Sequence, residues 1–510
     1  MIGLRLSALV AASVLVVAVP ASGGVVARGS LGGDLGALLA DPRLAGADVG
    51  LVVRNAETGA EVFDNRGGKR GQPASTAKLL TSAAALEVLG PDHRFATAVS
   101  ASGTAVGGVL SGDLHLRGTG DPTVLAADYD ALAASVARGG IRVVMGKLVA
   151  DDTWFDRVRL GTGWAWDDEP YYYNAQISAL TVSPDADYDA GSVVVRVAPG
   201  VAGAAAKVSV EPPSDYVQVE STAVTGPAGS ASSVSVVRRH GSNVVDVSGS
   251  VPAGGAVVSE WSAVWEPTGL VTSLFRDALA RNGVRVLGGT GQGVTPAGAR
   301  KVAEHLSMPL SGLLTPFLKL SNNMHAEILV KSVGRAVFGE GSWGAGLRAV
   351  AERLGGLGVD AGALSLRDGS GLSRMDQVSA GALADLLVAV RGKAWFPVWR
   401  DALPVAGVAD RLVGGTLRNR MRGTAAEGNA RAKTGSLTGV SALAGYVTTA
   451  SGTPLVFAMI SNNALGSVRE LEDAVVVRLA SDREGRGGGV RVERAVEGRV
   501  DVECSWVKAC

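Results

Sequence analysis

Cysteine is nearly absent: the chain of 510 residues has two, Cys504 and Cys510, both in its last seven positions. No disulfide framework can hold the core, so the fold must rest on buried apolar surface, and the length is ample for two to four domains. In an exported protein two such close cysteines are expected to pair, with free tail thiols or a bond to another chain as alternatives. Histidine is scarce as well, five residues with neither H-E-x-x-H nor any Cys/His ligand spacing. No metal and no cofactor are therefore expected. Excess charge of either sign is missing too, 48 basic residues against 48 acidic, which removes the electrostatic case for nucleic acid or an anionic membrane. Lysine is the rare base, 10 against 38 arginines, so a lysine inside a motif carries weight. Long apolar runs are confined to the start. There Arg5 precedes the apolar run Leu6 to Val19 and small residues around Ala21 and Ser22. This reads as a secretory signal peptide over 1–22, with an uncleaved anchor as the alternative. Neither a lipobox cysteine nor a twin arginine accompanies it. An exported protein of the cell envelope or the extracellular space is expected.

Residues 49 to 63 read as two strands joined by a turn at Glu57 to Gly59, and the stretch "GQPASTAKLLTSAAALEVLG" after them reads as a helix. Residues 430 to 463 give three strands with glycine-bearing turns, followed by a helix after Gly466. Helical patterns cover 310 to 333, 342 to 355 and 377 to 391. Strands from both chain ends with helices between them indicate one α/β (α+β) domain split in sequence, 26–95 with 306–484. From about 96 to 305 valine-alternating segments dominate, with helices only near 125 to 138 and 267 to 282. This is an inserted, mostly β region. Its expected seams give an outer module of 96–122 with 208–305 and a nested module of 123–207, and the tail is 485–510.

Ser75 and Lys78 are three residues apart at a helix start, so their side chains share one face and can touch. That is the geometry a serine nucleophile needs from a lysine base. Spacing alone proves nothing, because a second S-x-x-K sits at Ser505 to Lys508 with no helix pattern after it. Two further motifs decide. Ser321, Asn322 and Asn323 lie between two helical stretches, and Lys433, Thr434, Gly435 and Ser436 lie on a strand before a glycine-bearing turn. S-x-x-K, S-x-N and K-T-G in this order form the active-site set of penicillin-interacting serine enzymes.

The 246 residues from Ser75 to Ser321 leave room for the insert. With "GTGDPTV", "GWAWDDEPYYYNAQISALTV", "SNNMHAEILVKSVG", "DGSGLSR" and "AKTGSLTGV", the chain from about 45 to 465 resembles the class C low-molecular-mass penicillin-binding proteins, the D-alanyl-D-alanine carboxypeptidases and endopeptidases with a large insert between the first two motifs. The resemblance implies the serine β-lactamase/DD-peptidase-like fold, peptidoglycan stem peptides as substrates and β-lactams as covalent inhibitors. It makes Ser75 the nucleophile and Lys78 its base, the latter needing a neutral amine during the cycle. Ser321 relays a proton to the leaving amine, and Asn323 holds the substrate amide. Lys433 supplies positive charge, and Thr434 and Ser436 bind the terminal carboxylate. Gly435 lets a substrate strand lie close, and the N–H groups of Ser75 and Ser436 form the oxyanion hole. Asp168, just after Trp164 and Trp166, and Arg374 of "DGSGLSR" are expected to bind a zwitterionic stem-peptide side chain. Trp164 and Trp166 suit packing as well as ligand walls. Asn322 departs from the Asp of the S-D-N version. A β-lactamase and a catalytically weak wall-binding protein are the alternatives. The first lacks an E-x-x-L-N segment to hold a hydrolytic water, and the intact motifs oppose the second. With no G-x-S-x-G, an α/β-hydrolase is excluded.

Overall fold

A computed structural model describes residues 30–483. The expected signal peptide, the second S-x-x-K and the expected Cys504 to Cys510 bond lie outside the described residues.

Both ends of the described chain build one antiparallel sheet of five strands, ordered Glu61–Asn65, Asp48–Asn55, Pro454–Asn462, Val440–Thr448, Arg431–Leu437. Alternation along these strands sorts their side chains between two cores. Val52, Ala442, Ala444, Val456, Ala458 and Ile460 face the larger helical layer. Leu51, Val53, Leu443, Leu455, Phe457 and Met459 face a smaller layer made with helices Leu31–Leu39 and Arg469–Ala480. A sheet covered on both faces needs apolar residues at nearly every position, which is what the run of residues 440 to 447 provides.

Helix Ala77–Leu89 runs through the larger layer, and its residues Ala77 to Leu86 are all buried. A helix apolar all round belongs inside a protein, and the buried Lys78 near its start is the exception to be explained. The helical pattern over 310 to 333 resolves into helices Leu310–Lys319 and Asn323–Phe338, interrupted where Ser321 takes a φ of 62°. Helices Trp343–Gly356 and Ala380–Ala389 complete the layer.

The insert leaves at Ala96 and returns at Leu306, which are paired partners on adjacent strands. Strand pairing inside it does not follow the expected seams at 122/123 and 207/208. Leu148–Asp151 runs parallel to Leu114–Gly118, joining the sheet of Ala96–Ala101, Thr290–Gln292 and Arg300–Leu306. Ser192–Ala198 pairs with Lys207–Glu211 and with Val258–Ala263, on the far side of the second expected seam. Valine alternation marks a strand but does not name its partner, and several pairings here are parallel ones between distant segments.

Candidate active site

Ser75 sits in the 3-10 turn Ala74–Thr76 that leads into helix Ala77–Leu89. The preceding Ala74 has a φ of 45°, outside the usual region for a residue with a Cβ. Two glycines hold this turn. A Cβ on Gly371 would lie 1.8 Å from the Ala74 carbonyl oxygen, and one on Gly435 would lie 2.7 Å from the Pro73 oxygen and 3.0 Å from the Ser75 nitrogen. Backbone from the 368–374 loop and from the K-T-G strand therefore presses on the turn from two directions.

One helical turn carries Lys78 Nζ to 2.8 Å from Ser75 Oγ. The same nitrogen donates to Asn323 Oδ1 at 2.7 Å and to the Ser370 carbonyl at 3.0 Å. Asn323 Nδ2 donates to the Tyr173 carbonyl at 2.8 Å, which fixes the amide so that its oxygen faces the lysine. The Asn323 amide oxygen and the Ser370 carbonyl can only accept. A neutral amine has two hydrogens and one lone pair, so giving the hydrogens to these two acceptors aims the lone pair at Ser75 Oγ. This arrangement can take a proton from the hydroxyl.

The Ser370 loop rests on buried carboxylates. Glu327 accepts from Gly369 N at 2.9 Å, Ser370 N at 2.8 Å and Trp343 Nε1 at 2.7 Å. Burial, with Asp368 nearby, pushes its carboxyl up to about 7. Asp368 accepts from Gly371 N at 2.8 Å, Ser373 N at 2.7 Å and Trp164 Nε1 at 2.8 Å. The peptide whose N–H binds Asp368 is the one whose carbonyl accepts from Lys78, so the carboxylate polarises that acceptor. Burial, then Asp368, holds Asp376 well above the usual carboxylate range.

Lys433 Nζ donates to Ser321 Oγ at 2.8 Å and to the Thr434 carbonyl at 2.9 Å. Lys433 is fully buried and Thr434 nearly so, while Ser436 is half-buried further along the strand. Ser75, Ser321 and Asn323 line one cleft with Tyr172 and Tyr173 from the insert. The structure thus brings together Ser75, Lys78, Ser321, Asn323 and Lys433, with Thr434, Gly435 and Ser436 on the bordering strand.

Asn322 faces the insert. Its amide donates to the Asp187 carbonyl at 2.7 Å and lies 3.3 Å from His325 Nε2, which itself contacts the Tyr188 carbonyl at 2.8 Å. Burial pulls His325 down to about 4, so the ring is neutral and its Nε2–H faces that carbonyl. A carboxylate at 322 would present oxygen to oxygen, which accounts for Asn where the S-D-N version has Asp. Arg411 of the main domain pairs with the Asp187 carboxylate. Asp185, Asp187 and Asp189 cluster here, with Trp261 Nε1 donating to Asp185 at 2.8 Å.

Asp168 and Arg374 are not joined to each other. Asp168 accepts from Tyr173 Oη at 2.8 Å, and Arg374 donates to the Thr438 carbonyl at 2.8 Å, just past the K-T-G strand. Trp164 packs edge to face on Trp343 and serves as structure, whereas Trp166 is 76% exposed. Glu327, Asp368, Tyr173 and Thr416 were not singled out by the sequence. "SNNMHAE" and "DGSGLSR" contain two of them, but the first acts on backbone N–H groups and Tyr173 offers a carbonyl, and neither function has a side-chain signature.

The chain is similar to known proteins over most of its length. A curated D-alanyl-D-alanine carboxypeptidase of Actinomadura sp. (strain R39) is 47% identical over 483 residues, 94% of this chain and 90% of that protein. A carboxypeptidase of Mycolicibacterium smegmatis is 32% identical over 491 residues, 91% of this chain and 87% of its own. The crystal structure of penicillin binding protein 4 from Haemophilus influenzae superposes with a TM-score of 0.73 at 27% identity, covering 85% of this chain and 94% of that one. The same protein complexed with a β-lactam gives 0.68 at 25% identity, with the same coverage. The profile of the D-Ala-D-Ala carboxypeptidase 3 (S13) family matches residues 31–482, and this chain belongs to that family.

Proposed function

We propose that the chain is a serine DD-peptidase that cleaves D-alanyl-D-alanine in peptidoglycan through an acyl-enzyme on Ser75 and is trapped by β-lactams. The observation that carries this reading is Lys78 Nζ at 2.8 Å from Ser75 Oγ, with its hydrogens directed to Asn323 and Ser370. Ser75 Oγ gives its proton to Lys78 as it bonds to the carbonyl carbon between the two D-alanines. The N–H groups of Ser75 and Ser436 receive the oxyanion. When the C–N bond breaks, the proton taken up by Lys78 passes by way of the Ser321 hydroxyl, held by Lys433, to the leaving amine, so that both side chains are neutral again and free D-alanine departs. Water then attacks the ester, giving one proton to Lys78, which passes it to Ser75 Oγ as the ester bond breaks. Asn323 Nδ2 has a second hydrogen beyond the one given to Tyr173, suited to a substrate carbonyl. Thr434 and Ser436 take the terminal carboxylate.

Asp168, bonded to the cleft residue Tyr173, and Arg374, bonded to the carbonyl just past the K-T-G strand, suit the amino and carboxylate end of a diaminopimelate-type side chain. The substrate lies outside the membrane, so the Leu6 to Val19 segment supports export with cleavage near residue 22. N-terminal sequencing of the mature protein tests that point. The chemistry is tested by incubating the full chain with benzylpenicillin and mapping the adduct. An adduct on Ser75 is expected; one on Ser505, or none, overturns the reading.

A further inference from the structure

Thr434 Oγ1 lies 2.9 Å from the hydroxyl of Thr416, a half-buried residue in the 3-10 turn Gly415–Leu417 of the loop beside the K-T-G strand. That loop is tied to the strand by Ala432 N to Pro404 O at 3.0 Å and Ala406 N to Ala430 O at 3.0 Å. It is also tied to the helix that leads to Ser321. Buried Lys319 donates to the Leu403 and Val413 carbonyls at 2.5 and 2.8 Å. Gly415 takes a φ of 53° directly against Lys319, where a Cβ would come 2.6 Å from its carbonyl oxygen. The turn before Thr416 thus requires glycine, and Thr416 shares one rigid frame with Ser321 and Thr434.

A hydroxyl has one hydrogen. With Thr434 donating to Thr416, only lone pairs of Thr434 remain to meet an arriving anion. If Thr416 reverses and donates to Thr434 Oγ1, the Thr434 hydrogen is released for the anion, and the two hydroxyls form a chain that strengthens its terminal donor. We infer that Thr416 is a positioning residue that acts through Thr434 to select substrates with a free terminal carboxylate. The inference deepens the DD-peptidase reading and rests on it.

The test uses two N-acyl-D-alanine thioesters, one with a carboxymethylthiol leaving group and one with its neutral carboxamide counterpart. Thioesters are reactive enough for both to be measured. In Thr416→Val the ratio of kcat/KM for carboxylate over carboxamide should fall about five- to tenfold, the scale of one hydrogen bond. Thr416→Ser should restore it to within about twofold, since it keeps the hydroxyl. Thr434→Val should lower the same ratio further, and adding Thr416→Val to it should change little more, because both act on one interaction. Equal losses on both thioesters, failure of serine to rescue, or additive losses in the double variant would overturn the role of Thr416. Absence of Ser75-dependent turnover in the unmodified protein would instead overturn the DD-peptidase reading.

Discussion

Ser75, Lys78 and Lys433, which form the floor of the site, are 9%, 0% and 0% exposed, whereas Trp166, two residues before Asp168 in the insert, is 76% exposed and marks an outer region. Lys78 on the floor is fixed by two chain segments, Asn323 and the Ser370 loop, and that loop is fixed in turn by carboxylates below it. In the outer region, proposed as the rim, Arg374 meets the Thr438 carbonyl and Asp168 the Tyr173 phenol. Buried polar groups lose full desolvation energy when a partner is removed, and exposed ones fall back on water. Changes to the floor should therefore be large and indifferent to the stem-peptide side chain, and changes to the rim smaller and selective for it.

The sharpest way to break this contrast is Lys78→Ala. Loss of the base should slow acylation by benzylpenicillin about 10² to 10⁴-fold, followed by intact mass over time. Acylation at the unmodified rate would place the base elsewhere. Lys433→Ala should slow acylation about 10²-fold. Because it removes a cation, it should also weaken the dependence of the rate on salt for anionic substrates. An unchanged salt dependence would limit Lys433 to holding Ser321.

At the rim, Asp168→Ala should lower kcat/KM for a stem peptide with a zwitterionic side chain, relative to diacetyl-lysyl-D-Ala-D-Ala, by about 1.5 to 3 kcal/mol. Equal losses on both would show that Asp168 acts through Tyr173 on the common step. Between the two regions lies Asn322. Asn322→Asp sets a carboxylate against the Asp187 carbonyl and should destabilise the fold by about 1 to 3 kcal/mol, measured by chemical unfolding.

The smallest effect expected is a slope. Glu327 titrates near 7 in the folded protein against an ordinary value of 4.5. Between those values the folded state binds more protons than the unfolded one, so this group's contribution to stability is present below 4.5 and is lost as pH rises through about 7. Glu327→Gln should flatten stability against pH in that window, whatever its effect on overall stability. An equally steep curve in the variant would assign the slope to other groups, Asp376 first.

Residues 49 to 63 and 430 to 463 were legible as strands because alternation and glycine turns coincide there. Ser75 and Lys78 could be placed on one face because helix geometry is local. Their third partner could not, because the Ser370 carbonyl comes from a loop almost 300 residues later and every residue type has a carbonyl. The pairings across the expected seams of the insert were hidden for a related reason: Leu148–Asp151 lies parallel to Leu114–Gly118 and to Thr290–Gln292, and no short-range signal fixes a parallel neighbour. Asn322 was visible as a departure from S-D-N, yet its cause lay in a backbone oxygen of the insert.

Ala96 and Leu306 stand opposite each other as the insert leaves and returns. As plain chain geometry, the whole insert hangs from a doorway about 5 Å wide, the spacing of paired strand residues. A short hairpin linker could close that doorway without disturbing the five-stranded sheet. What it could not replace are the Tyr173, Asp187 and Tyr188 carbonyls that the insert lends to Asn323, Asn322 and His325. The insert is therefore detachable as architecture and indispensable as solvent, supplying the fixed dipoles that water would otherwise offer to the second motif.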